Sequence, residues 1–218
     1  MKTRHAFTLI EMLVVIAIIG IIAALVVNMN SGAQRAKKDA QVNADKNKLI
    51  LMIENYQSKL NYYPPDNTNL ANMSVAGYAL NYDGWAATNP LLYELTGATN
   101  LTNGTIQVFD GSSNIPVTTY AGVFGRSTVN NSNPDEPQTF FKPGPQFNEY
   151  TNYLSNSPNI NVWGLVVPVS LTNNTIPNFW HYDASSTNRH NPSSFDLWAE
   201  YLVGSKNGIP IIVTNGNW

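Results

Sequence analysis

Glu11 is the only ionisable side chain in a run of 21 residues, Phe7–Val27, that is otherwise almost wholly apolar. An ionised group inside such a span costs about 2.5–3.5 kcal/mol on insertion into a bilayer, so it asks for a role and a partner. The remaining reactive inventory is thin. There is no cysteine, hence no disulfide and no thiolate nucleophile or ligand. The three histidines are His5, His181 and His190. His181, Asp183, Ser185 and Ser186 have the residue types of a hydrolase group, but their order and spacing match no nucleophile–base template. No H-E-x-x-H, G-x-S-x-G or phosphate-binding glycine loop is present. The sequence does not read as that of an enzyme.

Charge narrows the partners. The net charge of −2 over 218 residues hides an asymmetry. Residues 1–60 carry eight basic side chains against Glu11, Asp39, Asp45 and Glu54, whereas residues 61–218 carry only Arg126, Lys142, Arg189 and Lys206 against ten acids. No basic face in that second part can neutralise several phosphates, which argues against nucleic-acid binding. Its length suffices for one globular core without disulfide support.

At about 1.5 Å per helical residue, Phe7–Val27 spans the roughly 30 Å hydrocarbon core of a bilayer. Lys2 and Arg4 precede it, while Arg35, Lys37 and Lys38 follow, so local charge does not settle orientation. A cleaved secretory signal would end in an A-x-A-like site, which Ala23-Ala24 does not supply. A plain signal anchor leaves Glu11 unexplained, unless its carboxylate snorkels to the headgroups.

The residues Arg4-His5-Ala6-Phe7-Thr8-Leu9-Ile10-Glu11-Met12-Leu13-Val14 closely resemble the class III signal of type IV pilins and type II secretion pseudopilins. The resemblance implies that a prepilin peptidase cuts between Ala6 and Phe7 and that Phe7 is then N-methylated. The family usually carries Gly before the cut; here Ala6, the next smallest residue, stands there. It also implies a single-pass protein of the bacterial inner membrane, with residues 1–6 in the cytoplasm and the head on the periplasmic or extracellular side. Its partners would be further copies of itself, other pilin-like subunits and the inner-membrane assembly platform. Glu11 then has a physical use. In a stack of subunits its carboxylate can meet the Phe7 amine of a neighbour, and an unpaired charge in low dielectric is costly enough to fix register.

The elements that must carry this arrangement follow from periodicity. No proline interrupts residues 7–60, which read as one helix of about 54 residues, roughly 80 Å long. Its first half, 7–27, is the transmembrane part, and 28–60 is amphipathic. Ala33, Ala36, Ala40 and Ala44 form a small-residue stripe, which Leu49, Met52, Ile53, Tyr56 and Leu60 continue as the seat of a head; Lys37, Lys38, Asp39, Asp45, Lys46 and Lys48 form a solvated face. Asn61–Asp66, with Pro64-Pro65, ends the helix.

Residues 61–218 then form a β-rich head. Pro90–Thr96 is a short helix between Asn89 and Gly97, with Leu91, Leu92 and Leu95 inward. Thr105–Phe109 and Val117–Val123 have strand character, Asn130–Pro145 is an exposed loop, and Phe147, Tyr150 and Leu154 fit one more short helix. Val162–Val169, Phe179–Tyr182, Phe195–Val203 and Pro210–Thr214 read as strands. The expected fold class is α+β: a long N-terminal helix packed on a small antiparallel β-sheet head, as in pilins.

Tyr63-Pro64 after the helix, Trp163-Gly164, Phe195-Asp196-Leu197 and Asn215-Gly216-Asn217-Trp218 also resemble major pseudopilins, although the stretch from about residue 78 to 161 is longer than theirs. Those relatives bind calcium in a loop near the C-terminus. The matching stretch, Leu202–Gly208, has no carboxylate and carries Lys206. Calcium wants six to eight oxygens, and Asp196 and Glu200 are the nearest carboxylates. The expectation is therefore no cofactor, with Asp196 and Glu200 as the only calcium candidates.

The function so expected is a structural subunit of a type II secretion pseudopilus, assembled through its N-terminal helix after processing. A type IV pilus subunit for adhesion or motility, and a monomeric membrane-anchored binding module, are the alternatives. Mass spectrometry of the processed chain is expected to find N-methylated Phe7 at its start. An intact Met1, or a cut near Ala24, would contradict the prepilin reading.

Overall fold

The computed structural model describes residues 8–67, 89–101, 103–107, 114–132, 138–142, 150–152, 163–171 and 177–218, with 24–31, 100–101 and 150–152 described as backbone only. One helix dominates. α1, Leu9–Leu60, runs 52 residues without interruption, about 78 Å at the helical rise. It stops because Asn61 adopts the left-handed conformation, φ 63°, with its N–H on the Gln57 carbonyl at 2.8 Å. Asparagine tolerates that cap, and the prolines at 64 and 65 forbid a further turn.

The buried face of α1 is Val42, Lys46, Leu49, Ile53 and Tyr56, spaced three and four apart. At about 100° per residue the Ala33–Ala44 stripe falls on the opposite side of the helix, and Ala33, Ala36, Ala40 and Ala44 are all exposed. The small-residue and bulky stripes are thus two faces rather than one continuous stripe. The polar face expected in solvent also needs correcting: Lys46 is buried and Lys38 and Asp39 are half-buried against the head.

The head follows as short elements. They are α2 (Leu91–Thr96), β1 (Thr99–Leu101), β2 (Thr105–Gln107), β3 (Asn114–Pro116), α3 (Val117–Phe124), β4 (Tyr150–Asn152), β5 (Trp163–Leu165), β6 (His181–Asp183), β7 (Asp196–Lys206) and β8 (Ile209–Gly216). Among the described residues all pairing is antiparallel, in three small sheets ordered β1-β2-β3, β4-β5 and β6-β7-β8. This is an α+β architecture, a long N-terminal helix followed by small antiparallel sheets, consistent with a pilin-like fold.

Three local expectations fail. Residues 117–124 are helical despite Val117-Thr118-Thr119. Pro116 precedes the first turn, Gly125 closes the last in the left-handed region at φ 67°, and Tyr120, Val123 and Phe124 recur at helical spacing in a buried cluster. Tyr150 lies in a strand opposite Leu165 rather than in a helix; Phe147 and Leu154 lie outside the described residues. The loop expected to be exposed after Asn130 is partly core, since Asn131 and Phe141 are buried.

The main core joins α1 to α2 and β7 through Val42, Leu49, Ile53, Tyr56, Leu91, Leu95, Phe195, Leu197 and Tyr201. A second core, around Tyr93, Tyr120 and Phe124 with ring centroids 4.7–5.5 Å apart, binds α2 to α3 and β1–β3. One carboxylate ties them. Glu94 has no solvent exposure. It accepts the Tyr56 hydroxyl of α1 at 2.8 Å and the N–H groups of Asn130 and Asn131 at 2.8 and 2.9 Å. The Asn131 side chain returns an N–H to the Glu94 carbonyl at 2.7 Å.

Burial pushes the Glu94 carboxyl above the ordinary glutamate range, against the pull of its three donors and of Arg126. A carboxyl raised in the folded state holds its proton there after the unfolded chain has lost it. Stability therefore falls as pH rises above the ordinary value of about 4.3 and levels off once the folded group has ionised. Glu94→Gln is expected to remove this contribution from urea midpoints measured across that range. It should also cost about 1–3 kcal/mol near neutrality, because its amide NH₂ would face the N–H of Asn130 or, flipped, that of Asn131. An unchanged pH slope would place its origin elsewhere.

Candidate functional site

The candidate site is α1 itself, with two features to position: its exposed N-terminal part and its seat on the head. Thr8 starts the helix. Its backbone N–H and its hydroxyl both reach Glu11 Oε2 at 2.8 Å, and its Oγ1 accepts the Glu11 N–H at 3.3 Å. This is a capping box, with the acid in the first turn where the helix dipole favours it. The Thr-x-x-Glu spacing is the sequence signal for it, beside the intermolecular role expected of Glu11. Both intrachain bonds fall on Oε2; among the described residues Oε1 meets no donor. Ala6 and Phe7 lie outside the described residues.

From Leu9 to Ile22 the large apolar side chains are exposed, Leu9 by 83% and Ile16 by 66%. No part of the described head covers them. Among the described residues no helix is long and apolar enough to cross a membrane; the side chains of 24–31, where the expected span ends, are not described.

The seat is polar as well as apolar. Lys38 Nζ donates to the Leu202 carbonyl at 2.8 Å, and the Tyr201 hydroxyl donates to Asp39 Oδ1 at 2.8 Å. Lys46 Nζ reaches Asn215 Oδ1 and the Gly216 carbonyl, and Asn215 Nδ2 donates to Asn43 Oδ1 at 3.1 Å. Burial holds the Lys46 amine below the ordinary lysine range. These contacts set the helix against the β7–β8 hairpin. That hairpin turns on Asn207-Gly208, φ 54° and 79°, the two-residue turn whose conformation suits strand twist. The Asn-Gly signal stood in the stretch compared with a calcium loop.

The other sequence candidates separate. Asp196 and Glu200 share the face of β7 turned away from the main core, but positions four apart in a strand lie about 13 Å apart, too far for one calcium ion. The Asp196 carboxylate instead takes the His190 and Asn191 backbone N–H groups at 2.7 and 3.0 Å, with Asn191 Nδ2 at 3.0 Å and His190 Nδ1 at 3.2 Å. The pair does not fit the ion, and the described residues contain no group of three or more metal-binding side chains. Ser185 gives its hydroxyl to Asp66 at 2.8 Å, and Asp183 caps the Ser185 and Ser186 N–H groups at 3.1 and 2.8 Å. His181 stacks on Trp198 at 4.7 Å. Serine and aspartate are thus engaged in holding the turn after β6, and His181 stacks within the sheet.

Comparison with known families adds one match, described as the prokaryotic N-terminal methylation motif, over residues 1–27. The chain begins with a prepilin-type signal. That motif is the mark of type IV pilin-like proteins, which are processed by a prepilin peptidase and assembled with other pilin subunits; it heads structural subunits rather than enzymes. No curated protein and no solved structure matches the chain.

If α1 is the seat of the head, residues 28–218 are expected to unfold at clearly higher urea than residues 61–218. The shorter chain lacks Val42, Leu49, Ile53 and Tyr56, and each large core side chain is worth about 2–5 kcal/mol on truncation. Equal midpoints for the two would show that the head does not depend on the helix.

Proposed function

We propose that this chain is a structural subunit of a type II secretion pseudopilus. Processed between Ala6 and Phe7 and N-methylated on Phe7, it would wait in the bacterial inner membrane as a single-pass protein with its head on the outer side. It would then polymerise through α1. The observation that carries this reading is a methylation signal at the head of a helix whose first turns, Glu11 apart, expose large apolar side chains, while one side of its second half is buried in its own domain. An exposed apolar surface of that extent calls for lipid before assembly and for other helices after it. The alanine face of residues 33–44, turned away from the head, allows close approach of neighbouring helices in the same filament. The pseudopilus assignment, rather than a surface pilus, rests on the resemblance of Tyr63-Pro64 and of the C-terminal segments.

Glu11 supports the assembly reading through its geometry. Thr8 occupies Oε2, and Oε1 is left for the Phe7 amine of an adjacent subunit, so one carboxylate can cap its own helix and set its neighbour's register. A solitary membrane helix would be favoured by an apolar residue at this position.

Glu11→Leu is therefore expected to leave membrane insertion and peptidase cleavage largely intact while sharply reducing crosslinks between subunits in membranes. Equal crosslinking in the variant and the parent would remove the register role. Absence of crosslinks in both, with function retained, would instead favour a monomeric anchored binding module.

A further inference from the structure

The β7–β8 hairpin runs past the end of the head. Val213 packs partly buried against the main core, but on the same face of β8 Ile211 and Ile209 lie beyond it, Ile209 68% exposed. On the other face Ile212 is 46% exposed. Among the described residues β8 is an edge strand with no further strand beside it. Three exposed isoleucines at the end of an unprotected edge are a liability in water. The tip also holds Lys206, one of only four basic residues in 61–218, and no acid occurs from Tyr201 to the C-terminus.

Contacts with α1 give the direction of the hairpin. Lys46 bonds the carbonyl of Gly216, which pairs with Trp198, and Lys38 bonds the carbonyl of Leu202. From Lys46 back to Lys38 the helix covers about 12 Å; from Trp198 on to Leu202 the strand covers about 13 Å. The two therefore run side by side, β7 heading toward the helix N-terminus. Continued from Leu202 to the Asn207-Gly208 turn, the strand advances about 15 Å. The same distance down α1 from Lys38 ends about ten residues earlier, near Asn28. That is the level at which the apolar run Phe7–Val27 stops. Arg35, Lys37 and Lys38 lie on the helix just above it.

We propose that the hairpin tip, Lys206–Ile212, enters the headgroup region of the bilayer that holds α1, so that the unassembled subunit rests on the membrane at two points. This rests on the membrane reading of residues 7–27 given above. The isoleucines bury their side chains at the acyl boundary, and Lys206 meets anionic headgroups beside the basic turn of the helix. The second foot limits tilt and rotation of the head about the anchor and shields the β8 edge until a filament neighbour replaces the lipid.

The absence of cysteine allows single-site labelling of the full chain in vesicles of phosphatidylethanolamine and phosphatidylglycerol. Ile209→Cys and, as a second site, Ile211→Cys would carry an environment-sensitive fluorophore. Ile16→Cys marks the anchor, and Thr187→Cys marks the far end of the head, beyond the Asp183–Asp196 pair. Brominated lipids are expected to quench the hairpin labels at least about threefold more than the Thr187 label, with Lys206→Glu reducing the difference. Quenching at Ile16 but equal, weak quenching at 209, 211 and 187 would overturn the proposal and leave the anchor intact. Weak quenching at Ile16 as well would overturn both. Efficient disulfide formation between Ile209→Cys copies without lipid quenching would assign the tip to a second copy instead, and so also overturn it.

Discussion

Glu94 lies at no solvent exposure with its carboxylate bonded at once to the Tyr56 phenol of α1 and to two backbone N–H groups of the 130–131 loop. Apolar packing alone would hold the helix against the head without fixing where along its length the head sits, because leucine and isoleucine contacts are non-directional. A buried carboxylate is different. Its donors must be within hydrogen-bond distance, and a slip of one helical turn would leave a charge unpaired in a dry interior. At the other end of the seat, Lys38, Asp39, Asn43 and Lys46 bond to the β7–β8 hairpin in the same way. The head is thereby pinned to one axial position on α1.

That position divides the helix by environment. One side of residues 42–56 is sealed in the core, and its opposite side, with Ala33, Ala36, Ala40 and Ala44, stays open. Residues 9–22 are open all round. The division separates folding from assembly: the side chains that stabilise the head are not those offered to lipid or to other subunits. The same pinning aims the hairpin down the helix, toward the end of the apolar run.

The loop after α1 is held by similar means. Asp66 accepts the N–H groups of Ala184 and Ser185 at 2.9 and 3.0 Å, and Tyr182 donates its hydroxyl to the Pro64 carbonyl at 2.8 Å. Burial and the neighbouring Asp66 carboxylate keep Asp183 above the ordinary aspartate range, despite the N–H groups of Ser185 and Ser186. Residues with a catalytic look in the sequence are here the fasteners of a turn.

What the sequence determined by itself was local or periodic. The signal Arg4–Val14, the long uninterrupted helix and its end before Pro64-Pro65, the short helix of Leu91, Leu92 and Leu95, and the strands around residues 163, 181, 200 and 212 all rest on patterns within a few turns of chain. Only the tertiary structure decided which side of α1 meets the head, because the small and bulky stripes each satisfy helical spacing and differ only in phase. It alone turned Val117–Phe124 into a helix, where the surrounding aromatic core outweighed the β-branched residues at its start. It alone buried Lys46 and Glu94. A charged side chain reads as solvent-facing until its partners are known, and here those partners, Asn215 and Gly216 for one, Tyr56, Asn130 and Asn131 for the other, lie between 36 and 170 residues away. No short-range pattern encodes a hydrogen bond across that distance; it exists only once the chain has folded around it.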